Sequence, residues 1–176
     1  MDEAKFITLD NCLTILIYTD RSKSTNHMEL FTFYGGNYSS YIDYNGKKRN
    51  IKEGSAHLLE HYVCENTVSG DLLDNLRKYN VLSCNAGTSA FNTSYFFNTV
   101  CNFYECLDTF LDGIYNVSFT NEKLNKTKYA VLNEIRDSQN NEGRRIADIR
   151  DRTLFSNCMD NLGSEDSINS ITVNDL

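Results

Sequence analysis

Residues 54–66 read GSAHLLEHYVCEN, and the fold of the whole chain turns on how this stretch is read. It contains His57 and His61, two of the three histidines in the chain, with Glu60 between them. At about 100° per residue, positions four apart lie on one face of a helix, one turn from each other. Two imidazoles so placed can share one zinc ion, with the Glu60 carboxylate at hand to work on a water beside the metal. The same three residues could also form a solvated helix face without chemistry. Leu58, Leu59, Tyr62 and Val63 surround them, so the helix is largely apolar, which favours a built site over a charged surface. Gly54 and Ser55 are expected to provide the turn and the N-cap ahead of it.

Working outward, 176 residues are enough for one domain with a real core and short for two. Proline is absent, so boundaries have to be read from Gly, Asn, Asp and Ser clusters. The net charge of -7 argues against a nucleic-acid phosphate backbone as partner, and no basic stretch longer than Lys47-Lys48-Arg49 offsets it. The opening residues MDEAKFITLD have neither the basic nor the apolar region of a signal peptide, and no apolar run approaches a membrane span. A cytoplasmic location without membrane contact is therefore expected. Cys12, Cys64, Cys84, Cys101, Cys106 and Cys158 show no CxxC spacing, which fits reduced, mostly buried thiols better than disulfides or a structural zinc site.

On the N-terminal side, FITLDNCLTILIYT (6–19) reads as two strands about an Asp10-Asn11 turn, and MELFTFY (28–34) as a third. Residues 35–54 read as a long polar loop. On the C-terminal side a short helix is expected over 71–79 and a hairpin over 81–100, turning near Ala90-Phe91-Asn92. A helix over 102–117 carries a stripe of Phe103, Leu107, Phe110, Leu111 and Ile114, best explained as core packing. Thr120 is expected to cap a long helix reaching about Gln139, with Leu124, Val131, Leu132 and Ile135 inward. Glu134 lies at the edge of that face, where an unpaired carboxylate loses solvation; a metal, an arginine or surface neighbours would each offset the loss. A further helix over 142–155 would turn Ile146, Ile149 and Leu154 inward. The fold class expected from this order is α+β, a mostly antiparallel sheet with helices packed on it.

Three segments together carry a resemblance. GSAHLLEH resembles the inverted zinc motif HxxEH of the pitrilysin/insulinase family of metallopeptidases. NAGTSAFNTSYFF (85–97) is similar to a strand of that family beginning Asn-Ala. YAVLNEIRDSQNNEGRRIADIRDRTLF (129–155) is similar to the helix that supplies its distant glutamate ligand, with 72 residues separating His61 from Glu134. The bacterial, processing-peptidase-like members are the most similar in their loop ahead of the histidine helix.

The resemblance implies one Zn2+ per chain held by His57, His61 and Glu134, with Glu60 as general base. It implies a zinc endopeptidase or peptide-processing subunit acting on extended peptides, which would add as a strand beside Asn85 and Ala86. Asn85 reads equally well as a plain strand-end residue. It further implies that residues 1–176 are a single, incomplete N-terminal domain, completed by a second half-domain in cis or a partner subunit in trans. One departure stands out: the family's supporting glutamate, seven residues before the ligand glutamate, is here Thr127. That leaves a non-catalytic reading open, a peptide-binding or scaffolding relative that supports an active partner.

Overall fold

Three short antiparallel sheets and six α-helices make up the regular structure, in a computed structural model that describes residues 3–155 and 160–176. The chain opens with a hairpin, β1 (Glu3–Thr8) and β2 (Thr14–Thr19), which pairs Phe6 with Leu16. Strand β3 (Asn26–Thr32) follows, then a small hairpin of β4 (Ser40–Ile42) and β5 (Lys48–Asn50). Helices α1 (Ser55–Glu65) and α2 (Leu72–Arg77) lead to the hairpin of β6 (Ser83–Thr88) and β7 (Thr93–Thr99). The described elements that follow are helical: α3 (Phe103–Tyr115), α4 (Asn121–Gln139), α5 (Glu142–Leu154) and α6 (Glu165–Ser170). The expected α+β class holds, with the strands divided among a two-, a three- and a two-stranded sheet.

The central sheet has the order β3-β7-β6. Its middle strand shows clean period-two burial: Thr93, Tyr95, Phe97 and Thr99 are buried, while Ser94, Phe96 and Asn98 face the other way. On the buried side Phe97, Tyr95, Val63, Leu72, Leu76 and Phe110 form one core. Leu58, Tyr62, Leu124, Val131, Ile135 and Ile168 form a second. Helix α1 contributes to both, so it is apolar on two sides and buried along most of its length. The Tyr62 hydroxyl latches it to the α3–α4 connection: it donates to Ser118 O (3.0 Å), accepts from Thr120 N (2.8 Å), and its ring stacks on Phe119.

The start of α1 is set by close backbone approach. Gly54 has φ +80° and Gly163 has φ +73°, and a Cβ on Gly54 would lie 2.5 Å from Leu162 O. Gly54 itself is the N-cap, in place of the expected Ser55; Ser55 is already helical and its buried hydroxyl has no hydrogen-bond partner. Around this contact Ser167 Oγ donates to Glu53 O (2.7 Å) and Asp160 N to Glu53 Oε1 (3.1 Å), clipping the C-terminal segment onto the helix entry. Gly54→Ala is expected to destabilise the fold by about 1–3 kcal/mol, since it forces a side chain into both a left-handed backbone and a closed contact. Urea unfolding reads this directly, and an unchanged midpoint would refute it.

Several expectations are corrected. Residues 35–54 are not a plain loop: Asn45-Gly46 turns the β4–β5 hairpin, and the Asp43 carboxylate accepts from Asn45 N, Lys47 N and Arg49 Nε to hold it. Ile146, Ile149 and Leu154 are exposed rather than inward, because α5 leans on α4 and no described element covers its other side. Among the cysteines, Cys64 and Cys106 are buried and Cys84 half-buried, but Cys12 and Cys101 are exposed; all five are free. Cys158 lies outside the described residues. No described helix is long and apolar enough to cross a membrane.

Candidate metal centre

Helices α1 and α4 pack antiparallel, which follows from their paired contacts: His57 meets Glu134 at one end, and Glu65 meets Thr127 at the other. The cap of α4 is as expected, with Thr120 Oγ1 accepting from Lys123 N (3.2 Å). From that start, Val131 and Ile135 point into the core and Glu134 falls beside them, facing the histidines.

Glu134 Oε2 lies 3.5 Å from His57 Nε2 and 3.3 Å from His61 Nε2. Both histidines thus aim the same ring nitrogen at one carboxylate oxygen. Ligand atoms bonded to a tetrahedral zinc at about 2.0–2.2 Å stand roughly 3.3–3.6 Å apart, so these separations suit such an ion. Among the described residues, these three form a group of donors whose ligand atoms all lie within 4.8 Å of one another. Two imidazoles and one carboxylate leave a tetrahedral ion one open position, the arrangement of catalytic rather than structural zinc.

The two imidazoles differ in surroundings. His57 is buried, and burial followed by the neighbouring His61 pushes its pKa below the ordinary value; its Nδ1 has no hydrogen-bond partner among the described residues. His61 is half-buried and faces Glu134 on one side and Glu65 on the other, with Nδ1 3.7 Å from Glu65 Oε1. These carboxylates raise it to about 9, and His61 in turn holds both Glu134 and Glu65 below the usual carboxylate range.

Glu60 sits apart from the three. It is buried, and burial raises its pKa, an effect opposed by a hydrogen bond from Thr88 Oγ1 to its Oε2 (2.7 Å). Thr88 belongs to β6, at the end nearest the turn; Thr93 Oγ1 stands 3.2 Å from it and donates to Tyr34 O. Strand β6 pairs with β7 on one side only, so its other edge is open among the described residues. Asn85 is exposed on it, while Ala86 packs against the core beneath, on the face that Thr88 shares. Sequence reasoning missed Thr88 and Glu65. The alternation along β6 would have put Thr88 on the helix side with Ala86, but no sequence signal specified Glu60 as its partner.

The family model of the insulinase peptidases (peptidase family M16) matches residues 47–164. The chain belongs to this family. A curated relative, the uncharacterized zinc protease YmfH of Bacillus subtilis, is 26% identical over 140 residues, covering 78% of this chain and 32% of the relative. The solved M16-like peptidase of Alicyclobacillus acidocaldarius superposes with a TM-score of 0.85 at 22% identity, over 99% of this chain and 41% of that one. A peptidase M16 inactive domain from Pseudomonas fluorescens superposes with a TM-score of 0.77 at 13% identity, over 98% of this chain and 42% of that one. These likenesses carry the insulinase fold. The chain spans about a third of the curated relative and about two-fifths of the two structures.

Proposed function

We propose that this chain is the zinc-binding part of a metalloendopeptidase that hydrolyses extended peptides. The observation that carries the reading is the convergence of His57 Nε2 and His61 Nε2 on one oxygen of Glu134, with the buried Glu60 carboxylate on the same helix as the two histidines. Zinc bound by the three would polarise a peptide carbonyl and acidify a nearby water.

The chain's own residues supply the rest. Glu60 takes a proton from the attacking water and passes it to the departing amine, a role for which burial tunes its carboxyl upward toward the working pH. Thr88 holds one Glu60 oxygen and leaves the other free for that proton. The open edge of β6, including Asn85 and Ala86, takes the substrate as an added strand, so that main-chain hydrogen bonds bind it and side chains set preference. An edge of this kind selects unfolded or extended peptides. The remainder of the substrate chamber comes from a second half-domain, in cis or in trans, in keeping with the fraction of each related structure that this chain covers. The likeness to an inactive domain favours one alternative, a peptide-binding subunit that supports an active partner.

Elemental analysis tests the metal reading before any activity assay. About one zinc per wild-type chain is expected, lost in both His57→Ala and Glu134→Ala. Wild-type protein that stays metal-free after reconstitution with zinc would leave only the peptide-binding alternative.

Zinc uptake should also release protons. His61, raised to about 9 by its carboxylates, is protonated in the metal-free chain at neutral pH, whereas His57 is neutral. A ligating Nε2 must be free of its proton, so about one proton leaves per zinc bound near pH 7. The apparent affinity accordingly rises with pH up to about 9 and then levels. Calorimetric titration in two buffers of different ionisation enthalpy measures the release, and equal heats in both would contradict it.

A further inference from the structure

Behind His61, away from Glu134, the packing of α1 against α4 encloses a polar chain that the apolar core does not need. Glu65 lies one helical turn beyond His61 and presents Oε1 to His61 Nδ1 at 3.7 Å, an ion-pair separation rather than a closed hydrogen bond. Its other oxygen, Oε2, accepts from Thr127 Oγ1 at 2.9 Å. Thr127 is fully buried, and its hydroxyl oxygen accepts in turn from Asn66 Nδ2 at 3.1 Å. Asn66, also buried, donates the same amide nitrogen to Tyr62 O at 3.0 Å.

The direction of this chain is determined by its ends. Tyr62 O is a carbonyl and only accepts, so the Asn66 amide must face it with nitrogen. Thr127 Oγ1 is then met by a donor and must use its single proton toward Glu65. Glu65 thereby has one oxygen occupied by Thr127 and the other turned to the imidazole. In the neutral imidazole that a metal would need, a carboxylate on Nδ1 favours the tautomer with the proton there, which leaves the Nε2 lone pair for the metal position. His57 has no counterpart, since its Nδ1 is unpartnered.

We propose that Glu65, held by Thr127 and Asn66, is the positioning residue of the metal centre, orienting His61 through its Nδ1. This rests on the zinc reading above. It gives Thr127 a stated role: its hydroxyl fixes, from the opposite helix, a carboxylate that the histidine helix itself provides. It also explains why a threonine and an asparagine are buried between two helices that are otherwise joined by Leu58, Leu124 and Val131.

The test is the zinc affinity of the whole chain, measured by competition with a chromophoric chelator, alongside the thermal midpoint of the metal-free protein. Glu65→Ala is expected to weaken zinc binding by about 10- to 100-fold. Thr127→Val, which keeps the shape and removes the hydroxyl, should weaken it in the same direction. Thr127→Ser, which keeps the hydroxyl and drops the methyl, should bind within about twofold of wild type even though it loses buried volume and melts lower. Affinity that follows the hydroxyl rather than the melting temperature separates positioning from plain packing. Wild-type binding of zinc with undiminished affinity in Glu65→Ala overturns the positioning role alone. Affinity that tracks the melting temperature across all three variants also overturns it. Failure of the wild type to take up zinc overturns the zinc reading and this inference together.

Discussion

Glu60→Gln is expected to lower peptide hydrolysis by about 10²- to 10⁴-fold while leaving zinc in place. The substitution is nearly isosteric. The amide oxygen of Gln can still accept the Thr88 hydroxyl proton, so the local packing between α1 and β6 is kept. What is lost is a site that can take a proton and give it back. Metal retention is expected because the proposed donor set is His57, His61 and Glu134, without Glu60. The measurement is cleavage of a quenched fluorescent peptide by this chain joined to, or mixed with, the half that completes the site. Zinc content should be determined on the same samples. Wild-type turnover in the variant would remove Glu60 from the mechanism. Loss of zinc together with turnover would mean that the carboxylate belongs to the metal site itself.

Phe97→Ala is expected to cost about 3–5 kcal/mol of stability. Phe97 is fully buried at the centre of β7, the middle strand of the central sheet, and its ring packs against Phe103 (5.8 Å between centroids) and Phe110 (5.5 Å). The loss is a large share of the roughly 5–15 kcal/mol that holds a domain folded. Urea unfolding should show a lower midpoint at similar slope, and a cost under about 1 kcal/mol would mean that this core repacks far more easily than its burial implies. Because α1 packs on the same core through Val63 and Cys64, zinc uptake by the variant should fall as the folded fraction falls.

The reach of the sequence differed from one part of the molecule to another, for reasons of range. The hairpin around Ala90–Asn92, the stripe of α3 and the Thr120 cap depend on neighbours a few residues away, and all three appear as expected. The β4–β5 hairpin escapes a periodicity argument although Asn45-Gly46 is a strong local turn signal, because its strands have only three residues each and are too polar. The opposite holds at α5. Its apolar stripe at Ile146, Ile149 and Leu154 is real, but periodicity defines a face without saying what covers it.

The metal centre divides along the same line. His57 and His61 share a face because a helix has 3.6 residues per turn, so two of the three candidate donors were written in five consecutive residues. Glu134 was reachable from its own neighbourhood only as an unsettled carboxylate, and the family resemblance was needed to join it to the histidines. Its approach to within 3.5 Å depends on the antiparallel packing of α1 and α4. The partners that tune the site are further still from local pattern. Thr88 meets Glu60 across a strand–helix contact, and Thr127 meets Glu65 across two helices. Local pattern sets which residues share a helix face or strand side, because backbone geometry repeats over a few residues. Which faces then meet, and so which carboxylate finds which imidazole, depends on burying two apolar cores at once, a condition on the whole chain that no short stretch of it contains.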